Sequence, residues 1–259
     1  MPFIRVNSLT VHYQLDGPAA APVILFGNSL GTNLHLWDAQ LPALRERFRL
    51  LRYDMRGHGM TDAPAEAYTI DQLAYDALGL LDALKLDKAR YCGLSIGGMI
   101  GQRLGVKAPG RFLQLALCNT GMSIGTPQLW QDRIAAVRQG GLGPMVDGVM
   151  QRWFTPASFK NKPELLAGYR NMLVRTPADG YIGCCRAIAG TDLAAAAARI
   201  ACPTLVVVGA DDAATPPELG RAIARTVKGA KLVEIAGAGH ISAAEQPAAV
   251  NAALAGFFQ

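Results

Sequence analysis

The strongest constraint on how this chain folds is a series of short runs that are apolar without alternation. "VILFG" begins at Val23, "LLRYD" at Leu50, "RYCGL" at Arg90, "LQLALC" at Leu113, "TLVVVG" at Thr204 and "KLVEI" at Lys231. Strands without a polar face suit a sheet covered on both sides, which is the habit of parallel sheets. Helical patterns fall between the runs. Residues 70–86, "IDQLAYDALGLLDALKL", put Leu73, Ala77, Leu80, Leu81 and Leu84 on one face, and residues 241–258 read as a closing helix. Near the N-terminus residues 10–15, "TVHYQL", alternate and predict a half-exposed strand in a hairpin with residues 3–6. Strands alternating with helices imply βαβ crossovers and a doubly wound α/β sheet.

From about Gly121 to Arg199 the rhythm stops. Helical patches at Gln128–Gln139, Pro144–Trp153, Glu164–Val174 and Tyr181–Ile188 are punctuated by Gly and Pro, and no strand is evident. We expect a core of residues 1–120 and 199–259 with a helical insertion at 121–198. "LAAAAARI" within it reads as a short helix. A chain of 259 residues, 51% apolar, has the material for a large core of this kind. Charged residues make up 17%, without a long run of one sign or a basic stripe with interleaved aromatics, which argues against a nucleic-acid partner. The five cysteines form neither a disulfide framework nor a metal-ligand spacing, so a reducing compartment is expected. "MPFIRVNSLT" lacks the zones of a signal peptide, and no apolar stretch reaches the roughly 18 residues of a membrane span. The expectation is a cytoplasmic protein, with homo-oligomerisation left open.

The chemistry centres on Gly93-Leu94-Ser95-Ile96-Gly97, at the junction of an apolar strand and a helix. A serine in so tight a turn stands alone at the carboxyl edge of the sheet, and glycine two positions to either side removes the collisions that a side chain would cause. A serine hydroxyl is a weak nucleophile and needs a base. Of the four histidines, His240 in "EIAGAGHISAAEQP" follows the last strand and falls at the same edge; His58 in "RGHG" is the alternative, better read as a packed turn. An acid must orient the base. "LVVVGADDAATPPEL" offers Asp211 and Asp212 just past a strong strand, and Asp212 is the preferred partner. The order Ser95, Asp212, His240 is one of the known orders of such a triad. The N–H of Ile96 and that of Ser29 in "FGNSLGTNLHLW", with Leu30 in reserve, are the expected oxyanion donors.

These motifs resemble the α/β-hydrolase superfamily with a helical cap. The likeness extends over almost the whole chain to the 3-oxoadipate enol-lactonases, through "NSLGT" where most of the superfamily carries His-Gly, "CGLSIGGMIGQ", "WQDRI", "GCC" and "PTLVVVGADDAATPP". The resemblance implies an eight-stranded, mostly parallel sheet with helices on both faces. It also implies hydrolysis of a small anionic lactone through an acyl-enzyme, with no metal or organic cofactor. In the cap, Trp130 is the expected apolar wall and Arg133, on the same helix face, the expected carboxylate partner; Cys184 and Cys185 are expected to pack within the cap. Two readings stay open beside the lactonase: a carboxylesterase or C–C bond hydrolase of the same fold, and a receptor or scaffold that keeps the triad with little turnover.

Overall fold

The structure is a computed structural model and describes residues 2–259. The unalternating runs assemble into one sheet of β1 (Phe3–Val6), β2 (Leu9–Asp16), β3 (Val23–Gly27), β4 (Arg49–Tyr53), β5 (Ala89–Leu94), β6 (Phe112–Cys118), β7 (Thr204–Gly209) and β8 (Lys231–Ile235), in the order β1-β2-β4-β3-β5-β6-β7-β8. Only β2 runs against its neighbours; all pairings from β4 to β8 are parallel. Every residue of β3 and β7 is buried. Successive side chains point to opposite faces, so both faces of the sheet are covered. β8 departs from the expectation: Lys231, Leu232 and Glu234 are exposed and only Ile235 is buried. It is an edge strand, with β7 as its one neighbour, and one side of it faces solvent.

The helices of the core are α1 (Leu41–Leu44), α2 (Ile70–Ala83), α3 (Ile96–Lys107), α10 (Pro217–Thr226), α11 (Ser242–Glu245) and α12 (Pro247–Phe257), with a 3-10 helix at Leu34–Gln40. Two are shorter than their apolar patterns. α2 begins where Thr69 accepts a hydrogen bond from Gln72 N–H, and it stops at Ala83 because Lys85 turns to a φ of 56°. The closing helix is two helices, α11 and α12, parted at Gln246 (φ −129°, ψ 60°). Pro247 lacks an N–H and disfavours the helical conformation in the residue before it.

Residues 121–199 hold helices and no strand: α4 (Pro127–Gly140), α5 (Val146–Trp153), α6 (Pro156–Asn161), α7 (Pro163–Val174), α8 (Ala178–Ala189) and α9 (Ala194–Ala197). Pro127, Pro156 and Pro163 stand in first helical turns, where no N–H is needed. α8 lies so close to the loop after β4 that a Cβ on Gly180 would sit 2.1 Å from Gly57 O. No helix among the described residues is long and apolar enough to cross a membrane.

The loop that carries Gly57 is held by a buried ion pair. Arg56 Nε donates to Asp76 Oδ2 at 2.7 Å and Nη2 to Asp76 Oδ1 at 3.0 Å, joining the end of β4 to α2. Arg56 Nη1 also donates to Glu66 Oε1 at 2.7 Å, but that carboxylate is exposed, so loss of Asp76 leaves a buried guanidinium with one solvent-facing partner. Asp76→Ala is expected to cost about 3–5 kcal/mol in urea unfolding.

Candidate active site

Because β3 and β5 to β8 run in one direction, the loops at their carboxyl ends meet at one edge. The sheet order reverses around β3, whose neighbours β4 and β5 follow it on opposite sides, and such a switch point is where open α/β sheets bind ligands. Ser95 stands there between β5 and α3, with φ 61° and ψ −119°, a conformation that a non-glycine residue holds only when its surroundings enforce it. A Cβ on Gly93 would lie 2.3 Å from Gly97 O, and one on Gly97 would lie 2.4 Å from Gly27 O. Glycine at both positions lets β3, β5 and α3 close to backbone contact. Ser95 N–H donates to Cys118 O (2.9 Å) and Thr120 Oγ1 to Ser95 O (2.7 Å), fixing the turn from its other side.

His240 and Asp212 arrive on the loops after β8 and β7. His240 Nδ1 lies 3.0 Å from Asp212 Oδ2, and both residues are buried. Asp212 also accepts from Asn119 Nδ2 (2.9 Å), Thr215 Oγ1 (2.7 Å), Ala214 N–H and Thr215 N–H (each 2.8 Å). Burial works to raise this carboxyl, but the His240 charge and these donors outweigh it and hold the pKa down to about 2. Asp211 is exposed. The difference is local: Asp212 accepts from N–H groups two and three residues ahead, the turn that Asp and Asn favour. Asn119 and Thr215 were not singled out from the sequence. The signals for them are that Asn119 directly follows an apolar strand and that Thr215 is three residues past Asp212.

The other ring nitrogen of His240 faces the mouth of the site. Its Nε2 is 3.4 Å from Ser29 Oγ and makes no hydrogen bond to Ser95. Ser95 and His240 nevertheless line one cavity, together with Ser29, Leu30 and Thr215. The remaining histidines are engaged elsewhere. His12 Nδ1 lies 2.8 Å from Asp54 and His35 Nδ1 2.8 Å from Asp38.

His58 is a brace for the loop after β3. Its Nε2 accepts from Gly31 N–H at 2.9 Å while Nδ1 donates to Arg56 O at 3.2 Å, which sets the ring neutral. Gly31 N–H, Thr32 N–H and Gly97 N–H are thereby used, the last two by Ser29 O and Asn28 O. The N–H groups of Ser29, Leu30 and Ile96 keep no acceptor within the protein, among the described residues.

The helices of residues 121–199 supply the far wall of the cavity. Trp130, Arg133, Arg152, Trp153 and Tyr181 line it. Trp130 is buried and donates from Nε1 to Ile124 O at 2.6 Å; Arg133 lies over its ring, with Cζ 5.0 Å from the centroid. Arg152, which the sequence did not suggest, is held below its ordinary pKa first by burial and then by the like charge of Arg133. Neither guanidinium forms an ion pair among the described residues. Cys184 and Cys185 are fully buried within the cap and stand outside the cavity lining.

The edge thus gathers a hydroxyl at a strained strand-to-helix turn, an imidazole with a carboxylate partner, and N–H groups without acceptors. The alpha/beta hydrolase fold family matches residues 22–247, and the chain belongs to it. Among its relatives, 3-oxoadipate enol-lactonase 2 of Acinetobacter baylyi is 38% identical over 251 residues, 97% of this chain and 94% of its own. 3-Oxoadipate enol-lactonase 1 of the same organism is 36% identical over 248 residues, 96% of this chain and 92% of its own. The crystal structure of the enol-lactonase from Burkholderia xenovorans LB400 matches with a TM-score of 0.97 at 42% identity, covering 99% of each chain.

The brace makes the site sensitive to acid. Burial lowers the His58 pKa from 6.5 to about 4, so between these values the unfolded chain binds a proton that the folded chain refuses. Stability is complete above about 6.5 and declines as pH falls toward 4. At pH 5 the His58 contribution is smaller than at pH 7 by roughly 2 kcal/mol. His58→Gln is expected to flatten the fall in urea stability between pH 7 and 5 by about that amount.

Proposed function

We propose that the protein hydrolyses 3-oxoadipate enol-lactone to 3-oxoadipate, with Ser95 as nucleophile, His240 as base and Asp212 as its orienting acid. The observation that carries this reading is the meeting of Ser95 and His240 in one cavity with two unpaired arginines. Enol-lactonases among the relatives cover nearly the whole chain. Ser95 Oγ attacks the lactone carbonyl as His240 Nε2 takes its proton, and Asp212 holds the resulting imidazolium. The carbonyl oxygen gathers negative charge, which Ile96 N–H and the N–H of Ser29 or Leu30 receive; one such donor contributes about 3 kcal/mol to the barrier reduction. Collapse breaks the ring C–O bond. The enolate oxygen leaves, takes the proton from His240, and the enol tautomerises to the ketone. A water deprotonated by His240 then attacks the acyl-enzyme, releasing the second carboxylate and returning the proton to Ser95.

The lactone carries a carboxylate away from the reacting carbonyl. Arg133 and Arg152 are the groups suited to hold it, with Trp130 as the apolar wall, and the helices of residues 121–198 are the unit that selects substrate. A general carboxylesterase has no use for two unpaired guanidinium groups in its cavity. The test is a spectrophotometric assay with enol-lactone generated in situ, run beside a neutral aryl ester. Preference for the lactone is expected; preference for the aryl ester would overturn the substrate.

Ser95→Ala is expected to abolish turnover and labelling by a fluorophosphonate while leaving the far-UV circular dichroism unchanged. Arg133→Gln and Arg152→Gln are expected to raise KM for the lactone at least tenfold, since a hydrogen bond to a charged group contributes about 1.5–3 kcal/mol. The same substitutions are expected to change KM for the neutral ester much less.

A further inference from the structure

One buried carboxylate at the site has no part in that chemistry. Glu245 closes α11, five residues past His240, and is 1% exposed. Its carboxylate forms no ion pair among the described residues. Instead its Oε1 accepts from Thr155 N–H (2.8 Å), Thr155 Oγ1 (2.9 Å) and Ser158 Oγ (2.6 Å), all at the start of α6 in the cap. Its Oε2 accepts from Gly239 N–H at 2.6 Å, the residue before His240. Hydrogen bonds to an ionised acceptor are about twice as strong as neutral ones, so four of them make a tight clamp.

Other contacts follow the same line. Ile241 N–H donates to Trp153 O at 3.1 Å, and Lys162 Nζ donates to Glu245 O at 2.5 Å. A Cβ on Gly239 would meet Trp153 O at 2.9 Å and Glu245 Oε2 at 3.0 Å. The His240 loop is thus pressed between two bodies. On the core side it is tied by Asp211 N–H donating to Ala238 O (2.9 Å) and Asn119 Nδ2 donating to Gly239 O (3.2 Å). On the cap side it is tied through Glu245. The cap residues so tied are continuous with Arg152 and Trp153, which line the cavity.

We propose that Glu245 is a positioning residue. It fastens the cap to the His240 loop and so sets the reach of the imidazole toward Ser95. The proposal rests on His240 being the base. Only a carboxylate offers acceptors on both sides; an amide of the same shape would turn an NH2 group either on Gly239 N–H or on the Thr155 and Ser158 donors.

The test compares wild type, Glu245→Gln, and a cap-side double variant, Thr155→Val with Ser158→Ala, that leaves Glu245 and Gly239 intact. Active sites are counted by fluorophosphonate titration, and kcat and KM are measured per titrated site with both the lactone and the neutral aryl ester. Glu245→Gln is expected to lower kcat at least tenfold on both substrates, with KM within threefold, and to slow the labelling of Ser95 in parallel. The double variant is expected to lower kcat at least threefold in the same pattern. A purely structural role would lower Tm and the titratable fraction but spare kcat per titrated site. A loss under threefold in the double variant, or in soluble Glu245→Gln, overturns the proposal; if Glu245→Gln is insoluble, the double variant decides. Glu245 touches no substrate, so failure of wild type to turn over the lactone, with these effects intact on the aryl ester, counts against the lactone alone. Undiminished turnover in Ser95→Ala counts against the triad.

Discussion

The site depends on how closely β3, β5 and α3 approach one another. Backbone meets backbone at Gly27, Gly93 and Gly97, with no room for a methyl group between them. That contact holds Ser95 in a conformation it would not choose. The same contact brings the loop after β3 beside the first turn of α3, where Gly97 N–H donates to Asn28 O and the proposed oxyanion donors, Ile96 N–H and that of Ser29 or Leu30, stand. An oxyanion pocket formed by rigid backbone needs no rearrangement as charge develops, which is why such pockets are effective.

Around this fixed point the other groups are held by layers of polar contacts. Asp212 is saturated with donors, so it stays ionised in a buried place. His58 carries no charge and supports the loop after β3 from beneath. The residues just before His240 are held from two sides, by the core through Asn119 and Asp211 and by Glu245, which in turn accepts from Thr155 and Ser158. The imidazole is therefore placed by contacts from both the sheet and the insertion.

Much of this was legible in the sequence. Strand positions could be read because buried parallel strands are apolar on both faces; Ser95 and Asp212 could be placed at the carboxyl edge because each follows such a strand, and His240 because it follows the last one. β8 breaks the rule, since an edge strand keeps a wet side. The long helix at residues 241–258 is parted by Pro247, a signal present in the sequence but outweighed by the run of apolar residues. Asn119, Thr215, Arg152 and Glu245 were not legible as site residues. Each is a common residue type whose importance comes from what it meets in space, and those partners lie 3 to 123 positions away along the chain. For Arg152 no local pattern marks the residue at all: it is one of many arginines until α5 turns it toward Arg133.

Two positive groups facing one cavity without counter-ions have a thermodynamic consequence. Burial and the like charge of Arg133 both work against the Arg152 charge, with Asp212 working the other way. In the reading proposed here, a carboxylate placed between the two guanidinium groups supplies the counter-charge, so binding it also stabilises the folded protein.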